Sequence, residues 1–281
     1  MEEMKAGPRR RGRRICSITI DESPQVYTIY RTGVRRDLRV DNVRGVLIIL
    51  VVIGHFLLPL YQTRLVNNLT YLIYSFHMPC FIMISGFYSK SLYKNGRFRW
   101  GKVVQLLWLY FIFKMLVNIT EGLLAGYIPV FPDFLRESGA PWYLMSLGIW
   151  YLTVSQAKKF REYPLNFLFI GAVMLFCIFI KYFVSPGSFL SLDRTIAFAP
   201  FFYIGYFYSQ ENLDVYLASN GRKLIDTVGI CCVLVIFFLM YDKLMIYNLV
   251  VYGADYIRYH ESVYNEAWLI NLIWYLGAFC M

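Results

Sequence analysis

Two histidines of this chain stand where lipid is expected. His55 lies inside the apolar run 45–61, eleven residues after Arg44, and His77 lies inside the next such run, 72–87. Hydrocarbon cannot solvate an ionisable group, so one placed there marks a functional site by default. A neutral imidazole, with a reference pKa of about 6.5, is well matched to taking a proton from a hydroxyl near neutral pH. Arg44 offers a permanent charge and a planar fork suited to phosphate oxygens. On an α-helix the step from Arg44 to His55 turns about 1100°, which is three turns plus about 20°, and rises about 16 Å. The two therefore share a face, with Arg44 at the rim of the membrane and His55 near its midplane. The second run returns from the other side and brings His77 to mid-depth, where the two histidines are expected to meet. Asp41, three residues before Arg44, is placed to fix the guanidinium. Ser85, in the inner part of the second run, adds a hydrogen-bond donor. The competing reading makes His77 a packing residue bonded to a neighbouring helix and Ser85-Gly86 a small-residue contact surface. Pro79, beside His77, kinks its helix or frees a carbonyl that another helix must satisfy.

The elements that must position these groups are membrane helices. At 281 residues, 58% hydrophobic and 19% aromatic, the chain is more apolar than soluble domains, which run at about 45–50%. The expected fold is all-α, a polytopic transmembrane bundle of about eight spans at 44–62, 69–89, 103–126, 141–157, 165–184, 196–210, 224–241 and 265–281. Long aromatic-rich segments such as 108–113 argue against a barrel of short alternating strands. The net charge of +10 would suggest nucleic acid in a soluble domain, but these charges fall in blocks between spans. Lys90, Lys94, Arg97, Arg99 and Lys102 occupy one loop, and Lys158, Lys159 and Arg161 another, whereas the alternate loops are poor in Lys and Arg. The positive-inside rule then places the N-terminus in the cytoplasm of a multi-pass protein of the cell membrane, with the bilayer and not nucleic acid as partner. Residues 1–35 form a basic tail, expected to be disordered and lacking the apolar core of a signal peptide, and 36–281 form the transmembrane domain. Five of the six cysteines lie in apolar runs and read as buried hydrophobes, so neither a disulfide framework nor a metal site is expected.

The order Arg36-Asp37, Asp41-Asn42-Val43-Arg44-Gly45, His55-Phe56, Phe76-His77-Met78-Pro79 and Ser85-Gly86-Phe87 resembles the integral-membrane acyltransferase-3 family. Within it, the branch of fucose 4-O-acetylase and related sugar O-acetyltransferases is the most similar. Pro141-Trp142-Tyr143-Leu144 resembles the family's aromatic segment, and Arg194 followed by Pro200-Phe201-Phe202-Tyr203-Ile204-Gly205-Tyr206 resembles its Pro-Phe-Phe helix. The likeness covers residues 36 to 281. Two departures stand out: the family's Leu-x-Pro-Tyr is here Leu107-Trp108-Leu109-Tyr110 without the proline, and the chain stops within its eighth span where members have about ten. It is thus expected to be short at its C-terminus.

The resemblance implies transfer of an acetyl group from cytoplasmic acetyl-CoA to a sugar hydroxyl of a glycan or lipid-linked sugar, with acetyl-CoA a substrate and no bound cofactor. His55 is expected to act as base and His77 as a lesser partner. Arg44 and Asp41 would hold the donor, Ser85 would donate a hydrogen bond, and Arg194 would bind acceptor or steady an oxyanion. Trp142 would stack on the sugar. Its alternative, with Tyr143, is anchoring in the outer aromatic belt, as headgroup anchoring is for Arg194. Two other functions compete: a transporter or flippase whose path His55 and His77 line, and a non-catalytic truncated relative. The internal repeat common in transporters is not found.

Overall fold

The computed structural model describes residues 28–31, 34–60, 63–94, 97–126, 131–136, 139, 141–183 and 189–209, with single positions beyond, among them Tyr275. Residues 1–27, His260 and nearly all of the expected spans 224–241 and 265–281 lie outside these. The chain divides into two units between Val46 and Leu47. In the first, strands β1 (Thr28–Arg31) and β2 (Val34–Asp37) form an antiparallel hairpin in which Ile29 pairs with Arg36. Helix α1 (Leu38–Leu57) opens in this unit with Asp41 in its first turn.

The second unit is built of helices. After α1 come α2 (Arg64–Ser89), α3 (Trp100–Ala125), α4 (Trp142–Ala157), α5 (Leu165–Phe183) and α6 (Leu192–Phe207). A two-residue hairpin, β3 (Tyr93–Lys94) with β4 (Arg97–Phe98), joins α2 to α3. Among the described residues three helices are long and apolar enough to cross a membrane: Val40–Leu57, Leu65–Leu92 and Trp100–Ala125. The all-α architecture expected from composition is therefore present. Helices α4 and α6 are shorter, at 16 residues each.

Local chemistry sets the ends of these helices. The apolar run of the first span reaches residue 62, but α1 stops at Leu57 and a 3-10 turn, Leu58–Leu60, follows. Pro59 has no N–H to continue the ladder, and its ring crowds the turn before it. Thr63 caps α2 by accepting from the Val66 amide at 3.3 Å. Gly126 closes α3 in the left-handed region, at φ 73°, and its N–H reaches the Gly122 carbonyl.

The core lies where α2, α4, α5 and α6 converge, around Ile82, Trp150, Phe201 and Phe202. Helices α2 and α6 approach at two glycines: a Cβ on Gly86 would overlap the Phe202 carbonyl, and one on Gly205 the Met83 carbonyl. Between α4 and α6 polar contacts join stacked rings such as Trp150 and Phe202. Thr195 Oγ1 donates to the Ser191 carbonyl at 2.8 Å, so Ser146 Oγ supplies the proton for the 2.7 Å bond between Ser146 and Thr195. Trp150 Nε1 donates to the Thr195 carbonyl at 3.1 Å and the Tyr203 hydroxyl to Thr153 Oγ1 at 2.7 Å. Such cross-helix bonds are the usual adhesive where lipid removes the hydrophobic drive between helices. Pro200, inside α6, has no N–H for the Ile196 carbonyl four residues back; the Cys177 thiol of α5 points at that carbonyl at 3.0 Å and meets part of the need.

Candidate active site

His77 is fixed by its own helix. It is 2% exposed, and its Nδ1 lies 2.6 Å from the Ile73 carbonyl one turn back. A carbonyl only accepts, so Nδ1 carries the proton and Nε2 is left with the lone pair that can accept one. Tyr74 packs edge-on against His77, with ring centroids 4.8 Å apart, and edge-on against His55 at 6.1 Å. The Tyr74 ring is thus shared by the two histidines. The sequence held the signal, since Tyr74 precedes His77 by about one turn of helix, but the approach of α1 depends on Gly54. A Cβ there would come 2.9 Å from the Tyr74 ring, so a larger residue would have to displace that ring. His55 lies on the exposed side of α1, beside Phe56 and Ile53.

Further along α2, residues at four-residue intervals line one face, and His77, Phe81 and Ser85 follow this spacing. Ser85 Oγ donates to the Phe81 carbonyl at 2.9 Å. Its proton is thereby used, so in the 2.5 Å contact with Tyr143 the phenol is the donor. The Tyr143 ring also meets Phe81, with centroids 5.3 Å apart. The expected depths had separated this pair, with Ser85 toward the inner side and Tyr143 at the outer interface; the structure joins them because the second residue of α4 packs against the C-terminal half of α2. Removing either hydroxyl, in Ser85→Ala or Tyr143→Phe, is expected to lose about 1 kcal/mol. The double variant should lose less than the sum, by about 0.6 kcal/mol or more, in thermal unfolding of the detergent-solubilised protein; strict additivity would mean that the two hydroxyls do not interact.

Two other expected residues are also brought together. The Arg194 guanidinium lies 5.4 Å from the centre of the Trp142 ring, which leans on Phe198 at 5.3 Å. Trp142 and Tyr143 are edge-on neighbours at 6.3 Å. Arg194 follows a strained turn: Leu190 and Ser191 both lie in the left-handed region, at φ 47° and 53°. Non-glycine residues hold that conformation only where the surroundings enforce it. Here the Leu190 amide bonds to the Leu135 carbonyl at 2.6 Å, and buried Ser191 accepts from the Thr195 amide at 2.8 Å. Asp41 and Arg44 of α1 form an ion pair at 3.9 Å, in the i, i+3 arrangement.

A contiguous series of contacts thus runs from His55 through Tyr74 to His77, along the α2 face to Phe81 and Ser85, and across Tyr143 to Trp142 and Arg194. The acyltransferase-3 family, described as an acyltransferase domain, matches residues 37–281. The chain belongs to the acyltransferase-3 family. Among individual members it is similar to the nodulation protein NolL of Sinorhizobium fredii (strain NBRC 101917 / NGR234), 30% identical over 217 residues. That alignment takes in 70% of this chain and 56% of NolL, so the chain spans little more than half the length of this relative. No solved structure matches it. Arg44 and His55, the two residues that open the resemblance to this family, both lie on α1.

Proposed function

We propose that the protein is a membrane acyltransferase that moves an acetyl group from acetyl-CoA to a hydroxyl of a sugar in a surface or exported glycan. The observation that carries this reading is the pair of histidines, in an acyltransferase-3 member, that bracket one tyrosine ring, with His55 accessible and His77 locked. His55 is the general base: it takes the acceptor proton as the hydroxyl oxygen attacks the thioester carbonyl, and the coenzyme thiolate leaves. His77, with its tautomer fixed, holds the Tyr74 ring and through it the approach to His55. Arg44, steadied by Asp41, receives the phosphate-bearing donor from the cytoplasmic side, where the N-terminus lies. Ser85 with Tyr143 and Arg194 with Trp142 serve the acceptor side, the tryptophan face stacking on the sugar and the guanidinium stabilising the developing oxyanion.

Labelled acetyl transfer from acetyl-CoA to isolated glycan, in membranes holding the protein, tests the assignment. Product is expected with the intact chain and none with membranes lacking it; solute uptake without acetylation would instead favour a transporter. Arg44→Lys keeps the charge but loses the paired hydrogen bonds, so KM for acetyl-CoA should rise by about tenfold with kcat little changed. An unchanged KM would remove Arg44 from donor recognition.

A further inference from the structure

The ends of α2, α4 and α6 bring together cations that the histidine chemistry does not use. Lys90, in the 3-10 turn that follows α2, donates from Nζ to the Tyr208 carbonyl just past α6 and lies 4.4 Å from the centre of the Phe87 ring. Arg161 closes the 3-10 turn Lys158–Phe160 that follows α4. Lys158 from that same turn sits 5.2 Å over the Tyr93 ring. Among the described residues no carboxylate lies within ion-pair distance of Lys90, Lys158 or Arg161, although exposed Glu162 adjoins Arg161 in sequence.

Loop cations that serve only to orient a membrane protein need no fixed geometry: solvated anywhere on the cytoplasmic side, they satisfy the positive-inside rule. Lys90 comes from the end of α2, and Lys158 and Arg161 from the end of α4. Two of them rest on aromatic rings, and Lys90 is held half-buried by a backbone carbonyl, while Lys158 and Arg161 remain exposed. Like charges held close without a counter-charge raise the local potential and favour an anion carrying more than one negative charge. A planar guanidinium beside an ammonium suits phosphate oxygens best.

We propose that Lys90, Lys158 and Arg161, with the Phe87 and Tyr93 rings as their floor, form a binding site for a phosphate-bearing anion. The chemistry is the same whether the phosphate belongs to an anionic lipid headgroup or to a soluble nucleotide, and the site stands whether or not acetyl transfer is the protein's reaction.

The full chain should be titrated in neutral detergent with adenosine 3′,5′-bisphosphate. In parallel it should be placed in mixed phosphatidylglycerol and phosphatidylcholine nanodiscs and the retained lipids read by native mass spectrometry. Binding of the nucleotide identifies a soluble source, and selective retention of phosphatidylglycerol a lipid source. In either arm Lys158→Gln with Arg161→Gln, both exposed and outside the core, should weaken binding by about tenfold. Lys158→Gln with Arg161→Lys should recover part of the loss, and Arg136→Gln, which removes one exposed charge elsewhere, should have no effect. Binding in neither arm, full binding by the double Gln variant, or an equal loss in Arg136→Gln would each overturn the site.

Discussion

Replacing His55 by alanine is expected to lower acetyl transfer by about 10²- to 10⁴-fold, the usual worth of a positioned general base, while the amount of protein in the membrane stays unchanged. The second half of that expectation comes from packing. His55 is exposed and touches the edge of Tyr74 at a centroid distance of 6.1 Å, so truncating it opens no cavity in the core and leaves no buried group unpaired. His77 is the instructive contrast. It is buried and bonded to Ile73, and His77→Ala is expected to lose activity together with about 1–3 kcal/mol of stability. A pair of variants in which only the exposed histidine separates rate from stability would fit a base at His55. Single-turnover transfer and thermal unfolding on the same preparations supply both readings. Wild-type turnover in His55→Ala would end the assignment outright.

The largest effect on the fold should come from a glycine. Gly86→Leu or Gly205→Leu is expected to destabilise the protein by about 3 kcal/mol or more, beyond ordinary overpacking. The obstruction at each position is the backbone of the opposite helix, the Phe202 carbonyl for Gly86 and the Met83 carbonyl for Gly205, and backbone cannot turn aside as a side chain can. Even alanine should be costly at these positions. Gly171, inside α5, is the control: a Cβ added there would have open space within 4 Å, so Gly171→Ala should be neutral or stabilise by about 0.5–1 kcal/mol. Melting temperatures of the three variants in one detergent decide the matter; a Gly86 variant that melts with the wild type would mean that α2 and α6 do not pack this way.

Helices were far more legible in the sequence than their contacts. The runs at 141–157 and 165–184 correspond to α4 at Trp142–Ala157 and α5 at Leu165–Phe183, because apolar length is a direct measure of what can be buried. Apolar runs start later than the helices where polar residues form the first turn: α6 begins at Leu192, ahead of the apolar run at 196, since Asp193, Arg194 and Thr195 are helical too. The ion pair between Asp41 and Arg44 was readable because it is local. Ser85 and Tyr143 lie 58 positions apart, and no periodicity relates two helices to each other. Tyr74 was hidden for another reason. An aromatic residue in an apolar run looks like every other lipid-facing or core ring, and only the missing side chain of Gly54 brings a second histidine to it.

The short helices have a consequence for the lipid around them. Sixteen residues rise only about 24 Å, several ångströms less than a hydrocarbon core of about 30 Å. A bilayer spanned by α4 and α6 would have to thin to match them, or their terminal residues would draw headgroups and water inward. The polar ends of the two helices, where Trp142 and Arg194 sit, would then lie in a dimple and not on a flat interface. In the proposed reaction, an acetyl group passed from one aqueous side to an acceptor on the other would have that much less hydrocarbon to cross.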